Sequence, residues 1–388
     1  MRFQDAIKKA PQQIKYIALL FLTTRFALSV VGVASRRWLD PVFHYYHPDW
    51  VFSKNMWLDL WGVFDTGWYI SIAAKGYPAQ LVEDVSNYGF FPLYSILISI
   101  INAIIQNYYF AALIISNIFL IIACIYCYKL VHLIAGEAAA LRSIKYIFIF
   151  PAGFILSAAF SESLFLAFML MCFYYAKKEQ WLYAGIAGFF LALTKAIGLL
   201  IVIPLFYEYL TSKQFKLSKI RLDILSIALL PLGTLSFATF CYLRTGNFFA
   251  YTYTKQIGWK MKMGNPLHNL YLCFQSNSHT LLYNAIFIVA LILILTIFIK
   301  RIGISYWLVS MTIIVVTLMY GKGNTILLTD HVSTVPSFIR YSSAIFPIYI
   351  LLAMLGENRY VDEAMTWFLA ILQGFIVAFW AAALNITI

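Results

Sequence analysis

Charge is what this 388-residue chain has least of: Asp, Glu, Lys and Arg make up 11% of it, against 62% hydrophobic residues. A soluble domain carries about a quarter charged residues, so a water-soluble globular protein is excluded. The recognisable nucleotide-binding loops are also missing. There is no Walker loop, no Gly-x-Gly-x-x-Gly and no Asp-x-Asp pair to hold a metal-bound nucleotide. Cysteine is sparse, and Cys124, Cys127, Cys172, Cys241 and Cys273 fall mostly within apolar runs. Cys124 and Cys127 have CxxC spacing but no second pair, so they read as packing residues rather than a zinc or redox site. His44 and His47 are spaced like metal ligands, yet no His-Glu-x-x-His or Cys/His array accompanies them. They read as loop residues, and no metal site is expected. No internal repeat, low-complexity tract or soluble domain interrupts the chain, so residues 1–388 form one transmembrane unit.

What is present is a series of apolar runs of about 20 residues, which makes this an all-α polytopic membrane protein. The net charge of +12 would suggest nucleic acid in a soluble protein. Here Lys and Arg lie mainly in short loops beside spans, where they set orientation; nucleic acid is not the expected partner, and the lipid bilayer is. The basic residues 1–13 precede an apolar run to Ala34 that is long for a signal core, and they read as a retained anchor.

Spans are expected near 14–34, 108–130, 142–160, 162–177, 181–194, 196–211, 222–243, 282–300, 303–320, 341–356 and 364–384, about eleven in all. Residues 35–107, 244–281 and 321–340 become outer loops. The apolar stretch from Phe90 to Ile105 reads as re-entrant or interfacial. Counted as a span, it would put the clusters Lys129/Arg142/Lys145, Lys177/Lys178, Lys213/Lys216/Lys219/Arg221 and Lys300/Arg301 outside, against the positive-inside rule.

Within the first outer loop, Trp57, Trp61, Phe64, Trp68 and Ile72 recur at spacings of four, three, four and four, as one stripe of a helix on a membrane surface. Asp65 stands beside that stripe. A carboxylate at an apolar boundary suits a base, and an ordinary solvated interfacial helix fits the same spacing. Several cations also fall on the outer face. Lys195, between two short spans, reads either as a phosphate ligand at a cavity mouth or as an internal ion pair with Glu162. Glu162, in Ser161-Glu162-Ser163, either serves the site or caps a helix. Arg340-Tyr341 suits a bidentate phosphate contact or a headgroup anchor. Arg244 opens the second outer loop. A lipid-borne phosphate, its tail in the bilayer, fits these cations better than a soluble nucleotide.

The motifs then line up with a known family. Trp61, Asp65, Trp68-Tyr69, Ile72-Ala73 and Gly76-Tyr77, followed by Phe90-Phe91-Pro92-Leu93-Tyr94, resemble the first outer loop of PIG-V-type (GPI mannosyltransferase 2-like) mannosyltransferases. Ser157 to Phe165 is similar to that family's Ser-Glu-Ser-Leu segment, and Gly246, Gln256, Trp259, Arg340-Tyr341 and Phe346-Pro347 follow in the family's order. One departure is Thr194-Lys195-Ala196-Ile197-Gly198, where the family has Thr-Arg-x-x-Gly.

The resemblance implies a GT-C fold glycosyltransferase that takes a sugar, mannose in this family, from a polyprenyl- or dolichyl-phosphate donor. The acceptor would be a glycolipid or cell-surface group on the extracytoplasmic face of a bacterial plasma membrane, or of the endoplasmic reticulum in a eukaryote. It makes Asp65 the catalytic base and Glu162 its partner. Lys195, Arg340, Tyr341, Arg244, Trp68 and Tyr69 become the binding set, and no protein-bound cofactor is implied. The alternative is a polytopic transporter or lipid flippase, which predicts repeated halves and paired helix breaks. A non-catalytic scaffold subunit is the third reading.

Overall fold

The structure, a computed structural model, describes residues 11–43, 51–322 and 338–382. His44 and His47 lie outside the described residues. Among those described, five helices are long and apolar enough to cross a membrane: Gln12–Leu39, Tyr108–Ile149, Leu222–Thr245, His279–Ile297 and Arg359–Ala381. Shorter apolar helices, Leu93–Ile105, Trp181–Ala192, Ala196–Ser212, Ile304–Met319 and Phe346–Leu355, pack among them, as does Glu162–Lys177. The protein is an all-α polytopic membrane protein. Its one sheet among the described residues is a two-stranded antiparallel ribbon, Met261–Met263 with Tyr320–Lys322, in which Lys262 pairs with Gly321.

The helix Tyr108–Ile149 is 42 residues long, enough for about 63 Å if straight. It is not straight. Gly136 has φ 81°, a left-handed value that glycine adopts without steric cost. Beyond it the chain folds back, so that Cys127 Sγ lies 3.5 Å from the Ser143 hydroxyl; a continuous helix would hold them about 24 Å apart. This hairpin supplies two of the expected spans. The second is shorter than expected, because helix ends at Ile149 rather than running to 160. Pro151 offers no N–H and disfavours helical backbone at Phe150, whose ψ is 142°. A 3-10 turn, Gly153–Ser157, follows.

Backbone freed inside a membrane must find partners. Gln373 donates to the carbonyls of Phe148 and Phe150 at 3.0 and 2.7 Å. Arg25, from the first helix, donates through Nη2 to the Gly153 carbonyl at 3.0 Å and through Nε to the Ser157 hydroxyl at 2.7 Å. These bonds fix the irregular stretch that leads into Glu162.

The stretch 51–105 departs from the expected continuous stripe. Met56–Asp59 forms a single helical turn, the chain bends through Leu60 to Asp65, and a second helix runs Thr66–Lys75. Phe64 at φ 52° marks the bend, an uncommon conformation for a residue with a side chain. Trp57 is therefore exposed while Trp61 is buried, and the two share no helix face with Trp68. The buried face of the second helix is Thr66, Tyr69 and Ile72. It lies against Leu93–Ile105, where the hydroxyls of Ser95 and Ser99 donate to the carbonyls of Tyr69 and Ala73. Leu93–Ile105 has 13 residues, about 20 Å, too short to cross about 30 Å of hydrocarbon unaided.

The bend is pinned from several sides. Asp59 is buried and pairs with Arg36 of the first helix at 2.5 Å, while its other oxygen accepts from the Phe52 and Ser53 amides at 2.7 Å each. The Trp380 indole donates to the Leu60 carbonyl at 3.0 Å.

A candidate active site where three loops meet

Ala159 N donates to the Trp61 carbonyl at 2.9 Å, tying the bend to the irregular stretch after Pro151. That bond, with the Thr66 hydroxyl donating to the Ala159 carbonyl at 3.5 Å, brings the Asp65 turn beside the start of Glu162–Lys177. Asp65 occupies the N-cap position of Thr66–Lys75, where the helix dipole favours a negative charge. Its side chain makes no capping bond there and reaches across to Arg340 instead. Arg340 Nη1 lies 2.5 Å from Asp65 Oδ2, and Arg340 Nε donates to Glu162 Oε1. Lys195 Nζ meets the same Glu162 oxygen at 2.7 Å. The four groups form one chain of alternating charge: Asp65, Arg340, Glu162, Lys195.

Exposure is lowest in the middle of that chain. The side chains of Glu162 and Arg340 are 1% and 4% exposed, whereas Lys195 is 13% and Asp65 26% exposed. Asp65 is thus the open end. Burial alone disfavours the Arg340 charge, but Glu162 and then Asp65 outweigh it and hold its pKa well above the usual arginine value. The guanidinium also lies 4.2 Å over the Phe160 ring, and Lys195 Nζ lies 5.0 Å from the Tyr341 ring centroid. Among the described residues, no hydrogen-bond partner meets Arg340 Nη2, and Glu162 Oε2 is buried without one. The cluster therefore has a guanidinium donor and a carboxylate acceptor to spare.

Lys195 is held out in extended backbone (φ −155°, ψ 149°) between Trp181–Ala192 and the 3-10 turn Ala196–Ile201. Gly198 allows this turn to close: a Cβ there would stand 2.6 Å from the Leu191 carbonyl. The sequence offered two readings of Lys195, and the structure forms the ion pair with Glu162.

Tyr69 joins the cluster through its hydroxyl, 2.9 Å from the Ser161 Oγ. Burial, followed by the Glu162 charge, pushes that hydroxyl well above the usual tyrosine range, so it stays a neutral phenol. Trp68 stacks on Phe90 at 5.9 Å and meets Trp259 edge-on at 5.5 Å. Lys255 Nζ lies 4.4 Å from the Trp259 ring centroid. An aromatic wall carrying an ammonium thus stands one helical turn from Asp65, built from the stretches 68–90 and 255–259.

Asp65, Glu162, Lys195, Arg340, Tyr341, Tyr69 and Trp68 are brought together. Arg244 is not: it is exposed on the last turn of Leu229–Thr245, and among the described residues no ion pair joins it to the carboxylates. Sequence reasoning passed over Arg36 and Asp59, the buried pair that anchors the bend from Leu60 to Asp65. Its signal was an aspartate inside Trp57-Leu58-Asp59-Leu60-Trp61, a run too apolar for an unpaired charge. Among the described residues, no three His, Cys, Asp or Glu side chains converge.

No protein-family model matches the chain, and no curated protein matches it in sequence. Its fold is similar to that of ArnT from Cupriavidus metallidurans, solved bound to undecaprenyl phosphate. The identity is 10% and the TM-score 0.53, over 95% of this chain and 76% of that one. A slighter likeness joins it to the archaeal oligosaccharyltransferase AglB from Archaeoglobus fulgidus, solved with an inhibitory peptide and a dolichol-phosphate. There the identity is 13% and the TM-score 0.45, over 94% of this chain and 56% of that one. The chain has the GT-C fold of polytopic membrane glycosyltransferases.

Proposed function

We propose that this protein is a glycosyltransferase of PIG-V type that moves a hexose, mannose, from a polyprenyl-phosphate donor to a lipid-linked or cell-surface acceptor. The observation that carries this reading is the chain of alternating charge, with one carboxylate at its most exposed end and two cations behind it. Asp65 takes the proton of the acceptor hydroxyl as that oxygen attacks the anomeric carbon from the face opposite the phosphate. The carbon–oxygen bond to the lipid phosphate breaks, and the configuration inverts. Negative charge then builds on the departing phosphate oxygen, where Arg340 and Lys195 stabilise it. Glu162 holds both cations in place, and the Trp68/Trp259 wall offers apolar faces to the sugar ring.

Purified protein reconstituted in lipid should consume polyprenyl-phosphate mannose and form an equal amount of glycosylated acceptor. Movement of intact donor across the bilayer, with no cleavage at the anomeric carbon, would identify a transporter instead.

The site in this reading faces the extracytoplasmic side. The support is the positive-inside rule: Lys177 and Lys178 stand about 24 Å along the helix from Glu162, at the end where the basic clusters gather. The described cysteines are all buried, so introduced thiols report cleanly. In intact cells an impermeant thiol reagent should label Glu83→Cys and leave Lys178→Cys unmodified. Labelling at 178 would put the carboxylate cluster on the cytoplasmic face.

A further inference from the structure

A cavity of about 490 Å³ opens at the other end of the first helix from the Arg36–Asp59 pair. Lys15 lines it, and the helical rise from Lys15 to Arg36 is about 32 Å, close to a hydrocarbon thickness of about 30 Å. The cavity and the carboxylate cluster therefore lie at opposite membrane faces. Three elements meet there: the first helix with Lys15, Tyr16 and Leu19, the second arm of the Gly136 hairpin with Arg142 and Lys145, and the last helix with Asp362.

Among the described residues, three cations and one carboxylate line the cavity. Asp362 is fully engaged, accepting from Lys145 Nζ at 2.6 Å and from the Tyr146 hydroxyl at 2.7 Å. Arg142 donates through Nε to the Ala353 carbonyl at 2.8 Å, and its two Nη groups have no partner among the described residues. A guanidinium fork with spare donors matches two oxygens of one phosphate group. Leu19, 59% exposed, continues the wall out to where lipid chains lie. A choline headgroup would bring its own cation against this excess of positive charge.

We infer that this cavity binds the headgroup of an anionic phospholipid, its phosphate on Arg142 and Lys15 and its glycerol end along Tyr16 and Leu19. Basic pockets between membrane helices are suited to such headgroups, and each cation contributes about a fivefold preference. A seated headgroup bridges the first helix to the hairpin. This site takes no part in sugar transfer and stands whether or not that reading holds.

Native mass spectrometry of the full-length protein, titrated with phosphatidylglycerol or phosphatidylcholine, tests it. Phosphatidylglycerol should bind more tightly, and Lys15→Gln with Arg142→Gln should remove about twenty-five-fold of that preference. Lys15→Gln alone changes an exposed residue and should remove about fivefold. Equal binding of the two lipids, or an unchanged preference in Lys15→Gln, would overturn the assignment. So would glycerol phosphate binding as tightly as the intact lipid, which would make the cavity a site for a soluble anion.

Discussion

Asp65→Asn should insert and fold at the yield of the unmodified protein and transfer sugar about 10²–10⁴-fold more slowly, the usual worth of a positioned general base. The amide keeps the size and one acceptor oxygen, so the bend from Leu60 to Asp65 is undisturbed. Arg340 loses the partner at the open end of the chain and keeps the buried one, Glu162. Because Asp65 is partly exposed, water can replace its contact with the guanidinium, and the stability change should be small. Single-turnover transfer and thermal unfolding on the same preparation separate the two effects. A fall in kcat with unchanged affinity for the donor assigns the base role. Near-normal turnover would leave Asp65 as the N-cap carboxylate of an interfacial helix.

The contrast with Asp59 sharpens that expectation. Both aspartates sit in the same loop, six residues apart, and each pairs with an arginine at 2.5 Å. Asp59 is enclosed and uses both oxygens on the backbone and Arg36, which is the pattern of an anchor. Asp65 leaves part of its carboxylate open, which is the pattern of a group that meets a substrate.

The apolar helices were legible because their signal is local: a run of about 20 apolar residues needs no partner to be recognised. The hairpin at Gly136 could be inferred from basic residues flanking two runs, since the positive-inside rule counts charge rather than contacts. The Thr66–Lys75 helix was legible in part. Its buried face, Thr66, Tyr69 and Ile72, shares only Ile72 with the expected stripe of Trp57, Trp61, Phe64, Trp68 and Ile72. Nothing in the identity of Phe64 signals a left-handed backbone. Asp65, Glu162, Lys195 and Arg340 could each be picked out as a charge in an expensive place. Their joining into one network could not, because Asp65 and Arg340 lie 275 residues apart and Glu162 and Arg340 lie 178 apart. Arg36 was hidden by its position at a helix end, where cations are ordinary.

Lys195 decides whether that network is machinery or mortar. In the structure it is an ion-pair partner, 2.7 Å from Glu162. Removing one member of a buried pair costs about 3–5 kcal/mol, and Glu162 still has Arg340, so Lys195→Met should be destabilised toward the low end of that range. If Lys195 also meets the departing phosphate, transfer should fall by about 10²–10³-fold, the cost of one lost donor to a developing oxyanion. The two effects part company in the double variant. Adding Glu162→Gln removes the excess negative charge and leaves Arg340 paired with Asp65, so Lys195→Met/Glu162→Gln should regain part of the lost thermal stability and remain defective in transfer. Lys195→Arg should keep both the pair and the phosphate contact, and restores the residue found at this position in the PIG-V-type pattern. It should stay within about tenfold of normal turnover, since only the fit of the longer fork changes. A double variant that recovers transfer along with its melting temperature would make Lys195 a counter-ion only, leaving Arg340 as the single cation behind Asp65.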